Sequence, residues 1–129
     1  MNKNILLAGA ILALFTVAIG AFGAHALQDL LLQNERTETF ETAVKYQSLH
    51  ALALLILGIL SGNLKNVWIN YAAISMVIGT IIFSGSLYIL SITNITFLGA
   101  ITPIGGLGMI IGWIFLILAI YRGKPTNIH

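Results

Sequence analysis

The chain has no cysteine, two prolines and very few charged side chains. Without cysteine it forms no disulfide and has no thiol chemistry. Charged residues make up 8% of the sequence, whereas a soluble domain has about 25%, so too few charges remain to cover a surface that faces water. The net charge of +2 is too small to indicate a nucleic-acid partner. These shortages predict a single integral membrane domain over residues 1–129.

What the chain has instead is four long apolar stretches, at residues 4–26, 40–62, 67–92 and 97–121. A helix needs about 20 predominantly apolar residues to cross a bilayer, and each stretch is long enough. The last two connections are only a few residues long, which favours antiparallel neighbours. The sequence therefore predicts an all-α fold, a four-helix transmembrane bundle with antiparallel up-and-down topology.

The first stretch also has features of a secretory signal peptide, because Lys3 precedes it and Ala24-His25-Ala26 resembles a cleavage site. Its apolar run of about 20 residues exceeds the 7–15 residues of a usual signal-peptide core, which favours a retained helix.

The positive charges indicate an orientation. Lys3, Lys65, Arg122 and Lys124 all fall on one side of the predicted bundle, and the acidic loop between the first two stretches falls on the other. Short loops rich in lysine and arginine face the cytoplasm. We therefore expect both termini in the cytoplasm and the acidic loop outside.

The second stretch carries the most informative polar side chains, because Tyr46, Gln47 and His50 fall on one face of a helix with 3.6 residues per turn. Glu41 and Lys45 fall on the other face, four residues apart, a spacing that favours an ion pair. His50 lies about 13 Å along the axis from Glu41. An ionisable side chain at that depth normally faces the bundle interior and has a partner. We expect one from the first, third or fourth stretch, or from the nearby Tyr46.

Polar residues of the other stretches concentrate in the same, outer half of the predicted membrane. In the third stretch, Ser86 points nearly opposite to Ser84 and Tyr88, so the three cannot meet one partner. The residues expected to form either a polar pocket or a hydrogen-bonded network between helices are His25, Tyr46, Gln47, His50, Ser86 and Thr102. Such residues commonly join membrane helices. No spacing matches a zinc motif, so no metal site is predicted, and His129 is expected to be a free end.

Glycines predict where the helices touch, since small residues let two backbones approach closely in a membrane. The expected packing positions are Gly20, Gly58, Gly62, Gly105, Gly108 and Gly112. Pro103 predicts an irregular start to the fourth helix, with regular turns from about Ile104. Thr39 is expected to cap the second helix with its hydroxyl.

Four motifs together resemble the DUF423 family: GAFGAHAL at 20–27, FETAVKYQSLHAL at 40–52, FSGSLY at 83–88 and LGAITPIGG at 98–106. This is a family of small four-helix membrane proteins of bacteria, with a related mitochondrial protein in animals. The sequence departs from the family pattern at Ala26, where glycine is frequent. The resemblance implies an integral protein of the bacterial cytoplasmic (inner) membrane. It implies no activity, because the family has no assigned biochemical function.

The remaining function classes differ in what they require of these residues. A structural or accessory subunit of a membrane complex fits the small size and the glycine faces, with other membrane proteins or a second copy as partners besides the bilayer. The alternative is a lipid or small-molecule binding protein or transporter, with a polar pocket in the outer half of the bilayer. An enzyme needs an activated nucleophile or a paired acid and base. No such constellation is evident, so neither a catalytic residue nor a cofactor is predicted.

Overall fold

The computed structural model describes residues 1–124, and the chain folds there into helices connected by short turns. The helices are α1 (Lys3–His25), α2 (Gln28–Gln33), α3 (Thr37–Leu60), α4 (Val67–Thr93) and α5 (Leu98–Arg122). All except the six-residue α2 are long and apolar enough to cross a membrane. The predicted all-α fold with four transmembrane helices is confirmed. The predicted free end at His129 lies outside the described residues.

The start of α3 differs from the prediction because of how α2 ends. Glu35 adopts a left-handed conformation with φ of 55°, and the backbone N–H of Arg36 donates to the carbonyl of Leu31 at 2.9 Å. This arrangement closes a helix and turns the chain sharply. Arg36 then precedes the first residue of α3, Thr37, and no side chain caps this end. Thr39 is therefore not the cap, because it already lies within the first turn.

Helix α5 also corrects a prediction, because it continues regularly through Pro103 rather than starting after it. Proline removes one backbone N–H and crowds the carbonyl four residues earlier. That residue is Gly99, which lies in the first turn of α5, so the missing bond affects only the beginning of the helix. Nearby, the Thr102 hydroxyl donates to the Leu98 carbonyl at 3.2 Å. The irregular start is therefore unnecessary.

The four long helices lie in the row α1–α3–α4–α5, with the tightest contact between α4 and α5 and the next between α1 and α3. The row curls, so that Ile5, Leu57, Ile69 and Ala119 share one hydrophobic cluster. We call the end with Lys3, Lys65, Arg122 and Lys124 the basic end. We call the opposite end, which carries α2 and the turn from α4 to α5, the acidic end.

Glycines make the contact between α4 and α5 close. A Cβ atom at Gly79 would lie 2.8 Å from the carbonyl oxygen of Gly105, and one at Gly108 would lie 3.1 Å from the Cα of Gly79. One at Gly112 would lie 2.6 Å from the Cγ of Met76. The predicted positions Gly105, Gly108 and Gly112 thus lie at a helix contact, together with Gly79, which was not predicted.

The contact between α1 and α3 uses the predicted Gly58 of α3 together with Gly9 of α1. A Cβ at Gly58 would lie 2.6 Å from the Leu6 side chain of α1, and a Cβ at Gly9 would lie 3.0 Å from backbone atoms of α3. The prediction is wrong for Gly20, whose nearest neighbour would be a Val44 methyl at 3.4 Å, an ordinary contact. It is also wrong for Gly62, which follows the end of α3 and lies near the amino terminus rather than between helices.

Candidate functional site

A layer of buried polar side chains joins the helices from about the middle of the bundle to the acidic end. At its centre, the hydroxyl of Tyr88 donates to Gln47 Oε1 at 2.6 Å. Gln47 Nε2 in turn donates to the carbonyl oxygen of Leu12 at 3.1 Å. A single buried amide therefore connects α1, α3 and α4.

His50 connects α3 to α5 and is 2% exposed. Its Nδ1 lies 2.7 Å from the carbonyl oxygen of Tyr46, and the indole N–H of Trp113 donates to its Nε2 at 3.0 Å. A carbonyl only accepts and an indole N–H only donates. The ring is therefore the neutral tautomer with hydrogen on Nδ1, and both nitrogens are engaged. The sequence predicts a partner for His50 from another apolar stretch without naming it, and the structure shows that this partner is Trp113 of the fourth.

Helix α4 presents its hydroxyls to two neighbours. Ser84 donates to the Ala43 carbonyl of α3 at 2.8 Å. On the other side, the Ser86 hydroxyl lies 2.6 Å from the hydroxyl of Thr102, which belongs to α5. The expected division of these serines between two partners is therefore present. Within residues 1–124, Thr80 Oγ1 is the one buried side-chain polar atom without a hydrogen-bond partner.

Two members of the predicted set do not belong to this layer. His25 is exposed as the last residue of α1 and makes no hydrogen bond to the described part of the chain. Tyr46 is 39% exposed, and its ring packs beside Phe83 with centroids 5.0 Å apart. Its backbone carbonyl, not its phenol, bonds to His50. The physical reason is rotation, because α3 turns Gln47 and His50 inward and leaves Tyr46 at the margin.

Helix α3 lines a groove, but with a different face from the one predicted to line a polar pocket. A groove of about 590 Å³ lies between α1, α2 and α3. It is lined by Thr16, Gly20, Gly23, Ala24, Gln28, Leu31, Leu32, Thr37, Phe40, Glu41, Val44, Lys45 and Ser48. Neither Gln47 nor His50 lines it, because both are occupied in the polar layer. We refer to it as the acidic-end groove.

The two charged residues of this groove, Glu41 and Lys45, are exposed and make no ion pair with any described residue. The pair predicted from their spacing is therefore not formed. Gly23 explains the shape of the groove, because the Phe40 ring occupies the space that a Cβ on Gly23 would need.

Sequence reasoning missed Trp113 and Gly23. Trp113 lies within an apolar run, and its one signal is that a buried indole N–H needs an acceptor. Only His50 and Gln47 lie deep enough in the second stretch to supply one. Gly23 gave no signal of its own, because its role depends on where the Phe40 ring points. Among residues 1–124, no three histidine, aspartate or glutamate side chains meet to hold a metal ion.

Four membrane-crossing helices joined by buried hydrogen bonds define a multi-pass α-helical membrane protein. The family model described as "Protein of unknown function (DUF423)" matches residues 19–106. The chain is 43% identical over 120 residues to a UPF0382 membrane protein of Staphylococcus haemolyticus, covering 93% of this chain and 97% of the relative. It is 42% identical over 118 residues to the UPF0382 membrane protein YwdK of Bacillus subtilis, covering 91% and 95%.

This chain therefore belongs to the DUF423 family and is a multi-pass bacterial membrane protein. A third relative, from Staphylococcus aureus, is 47% identical over 120 residues, covering 93% of this chain and 97% of the relative, and is also named a UPF0382 membrane protein. No solved structure matches the chain.

Proposed function

We propose that this protein is a non-catalytic membrane protein that binds a lipid-like amphiphile in the acidic-end groove. The observation that carries the proposal is a groove of about 590 Å³ that is mainly apolar and has two unpaired charged side chains. Small-molecule sites are typically mostly apolar, with a few polar groups that orient the ligand, and measure about 300–1,000 Å³. The groove fits that description.

The groove offers surfaces that suit both parts of an amphiphile. Leu31, Phe40 and Val44 offer an apolar wall for a hydrocarbon chain. Lys45 lies about 12 Å along α3 from Thr37, and its long side chain can extend toward the headgroups. Glu41 lies one turn nearer the acidic end. A polar headgroup would meet one cation and one anion there.

The polar layer supports a non-catalytic role. His50 is the buried residue best suited to proton transfer, but both of its ring nitrogens are already engaged. Gln47 is likewise held by Tyr88 and by the Leu12 carbonyl. A general base needs a free nitrogen or oxygen within reach of a substrate. These side chains instead fix the positions of α1, α4 and α5 around α3.

The test is to fill the groove and to identify what purifies with the protein. The Gly20→Leu variant places a side chain in the groove, where the nearest obstacle to a Cβ is a Val44 methyl at 3.4 Å. Gly85→Leu is the matched control, because no atom lies within 4 Å of a Cβ at Gly85, which does not line the groove. Lipid extraction and mass spectrometry would follow purification in mild detergent.

We expect one class of amphiphile to be enriched in the native protein and in the Gly85→Leu control, and to be lost from Gly20→Leu. Equal lipid content in all three proteins would contradict it. Circular dichroism and gel filtration would show that both variants retain the helical fold, so that a loss of ligand reports on the groove.

A second function, an accessory subunit of a membrane complex, is favoured by the exposed face of α1. Leu7, Ile11, Leu14, Phe15 and Phe22 follow each other at helical spacing and are all exposed. Such a face is covered either by lipid or by a partner helix. A photo-crosslinking residue that replaces Phe15 is expected to give a discrete protein adduct in cells if a partner covers this face. The control is the same residue at Ile114, which is exposed on α5. Adducts to lipid alone would contradict this role.

We also propose that both termini lie in the cytoplasm. Support comes from the basic end, which carries Lys3, Lys65, Arg122 and Lys124, and from the location of all four acids at the other end or one turn inside α3. The lysine and arginine bias of short loops sets orientation in bacterial membranes. The acidic-end groove would then open to the outer leaflet.

A further inference from the structure

At the basic end, two cavities of opposite chemistry adjoin each other. One is an open, mainly polar basin of about 630 Å³ between the start of α1 and the loop from α3 to α4. The other is an apolar groove of about 230 Å³ between α1 and α4, with Leu54 of α3 also lining it. Asn4 lines both cavities. The two cavities therefore meet at Asn4, where the lining changes from polar to apolar.

The basin is suited to an anion. Its charged lining side chains are Lys3 and Lys65, no acid lines it, and neither lysine makes an ion pair with a described residue. Lys3 lies in the first turn of α1, and neither α1 nor α4 has an acid in its first turn. The start of a helix carries partial positive charge and favours a nearby anion. Two lysines and two helix starts therefore face the same open space without a counter-charge.

The basin is also held in shape by hydrogen bonds between the elements that form it. The Asn2 amide accepts from the N–H of Asn4 at 3.1 Å, and its backbone N–H donates to the Gly58 carbonyl at 2.9 Å. The Asn66 side chain accepts from Trp68 N–H at 3.1 Å at the start of α4. The Asn2 bonds fix the start of α1 against the end of α3, and the Asn66 bond caps the start of α4. The basin thus needs little rearrangement to accept a headgroup.

The apolar groove continues the basin along the helices. Ile5 and Ala8 of α1 form one wall, and Ala73 and Val77 of α4 form the other. From Ile69 at the basin to Val77 the distance along α4 is about 12 Å. The groove therefore extends from the membrane surface into the hydrocarbon region, in the direction that an acyl chain takes.

We propose that this composite surface binds an anionic phospholipid of the leaflet at the basic end, with its phosphate between Lys3 and Lys65 and one acyl chain between α1 and α4. The occupant follows from charge and continuity, because the polar part carries only positive charge and leads directly to an apolar groove. Basic pockets between membrane helices characteristically bind anionic lipid headgroups. The site is separate from the acidic-end groove, with a different leaflet and different residues.

The experiment is native mass spectrometry of the full chain in detergent, titrated with phosphatidylglycerol or phosphatidylcholine. The native protein is expected to bind phosphatidylglycerol more tightly. The double variant Lys3→Gln/Lys65→Gln is expected to lose about fivefold in affinity for each lysine, or about 25-fold for both, with little change for phosphatidylcholine. Lys124→Gln is the matched control, because it removes a charge from the same end outside the basin.

A second pair of variants tests the acyl groove. Ala8→Phe fills the groove, whereas Ala10→Phe adds the same ring to an exposed position of α1 that lines none of the three cavities. The first is expected to weaken both lipids and the second neither. Equal affinity of the native protein for the two lipids would overturn the proposal. So would losses in Lys124→Gln or Ala10→Phe that match those of the basin and groove variants. Gly20→Leu leaves this site intact, so failure of one lipid site does not imply failure of the other.

Discussion

The close contact between α4 and α5 predicts a large effect of a single methyl group at Gly79. A Cβ there would lie 2.5 Å from the Met109 nitrogen and 2.8 Å from the Gly105 oxygen, whereas ordinary contacts begin at 3.4 Å. The shortfall of 0.9 Å has to be met by moving helix α5, because both neighbours are backbone atoms. Overpacking of this kind costs about 1–3 kcal/mol. Alanine recovers up to about 1 kcal/mol of helix propensity, so Gly79→Ala is expected to lose roughly 1–2 kcal/mol.

Gly85 provides the matched control on the same helix. Nothing lies within 4 Å of a Cβ there, so Gly85→Ala is expected to be neutral or to gain up to about 1 kcal/mol. Reversible unfolding in mixed micelles of increasing sodium dodecyl sulfate, followed by circular dichroism, gives the free energy of unfolding of each variant. If Gly79→Ala proves as stable as Gly85→Ala, the close approach of α4 and α5 is wrong.

Three further predictions concern the polar layer and the orientation. A double-mutant cycle with Tyr88→Phe and Gln47→Leu should give a coupling of about 0.6 kcal/mol, and at most about 1.7; zero coupling would refute the bond. Nitrogen-15 NMR at neutral pH should show His50 as the neutral Nδ1–H tautomer, and a mixture of tautomers would contradict the geometry. Because the chain has no cysteine, an impermeant maleimide should label Gln33→Cys in intact cells and Lys124→Cys only after permeabilisation; the reverse pattern would invert the orientation.

The membrane helices could be predicted because they follow from hydropathy and length alone. The inward direction of Gln47 and His50 could also be predicted, since both fall on one polar face of α3, although the same reasoning wrongly placed Tyr46 inward. The opposite directions of Ser84 and Ser86 follow from helical geometry. In each case a polar residue marks the rotation of its helix.

Helix α1 shows why the rest could not be predicted. Its central turns are apolar on every side, so the sequence does not show which face meets α3. Gly20 was therefore predicted at a close helix contact, whereas the close approach to α3 at this end of α1 is made by Gly23. The early start of α3 depends on the left-handed Glu35, and a residue other than glycine or asparagine gives little sign of that conformation. The prediction at Pro103 was wrong because α5 begins only five residues before it, so the proline removes one backbone hydrogen bond near the beginning of the helix.

The most direct test of the proposed function is an experimental structure of the native chain in a lipid bilayer disc. We predict elongated density in the acidic-end groove, running past Gly20 and Val44 with its polar part beside Lys45 and Glu41. Direct packing of α1 against α3 that closes the groove, with lipid density no stronger there than elsewhere on the protein surface, would contradict it.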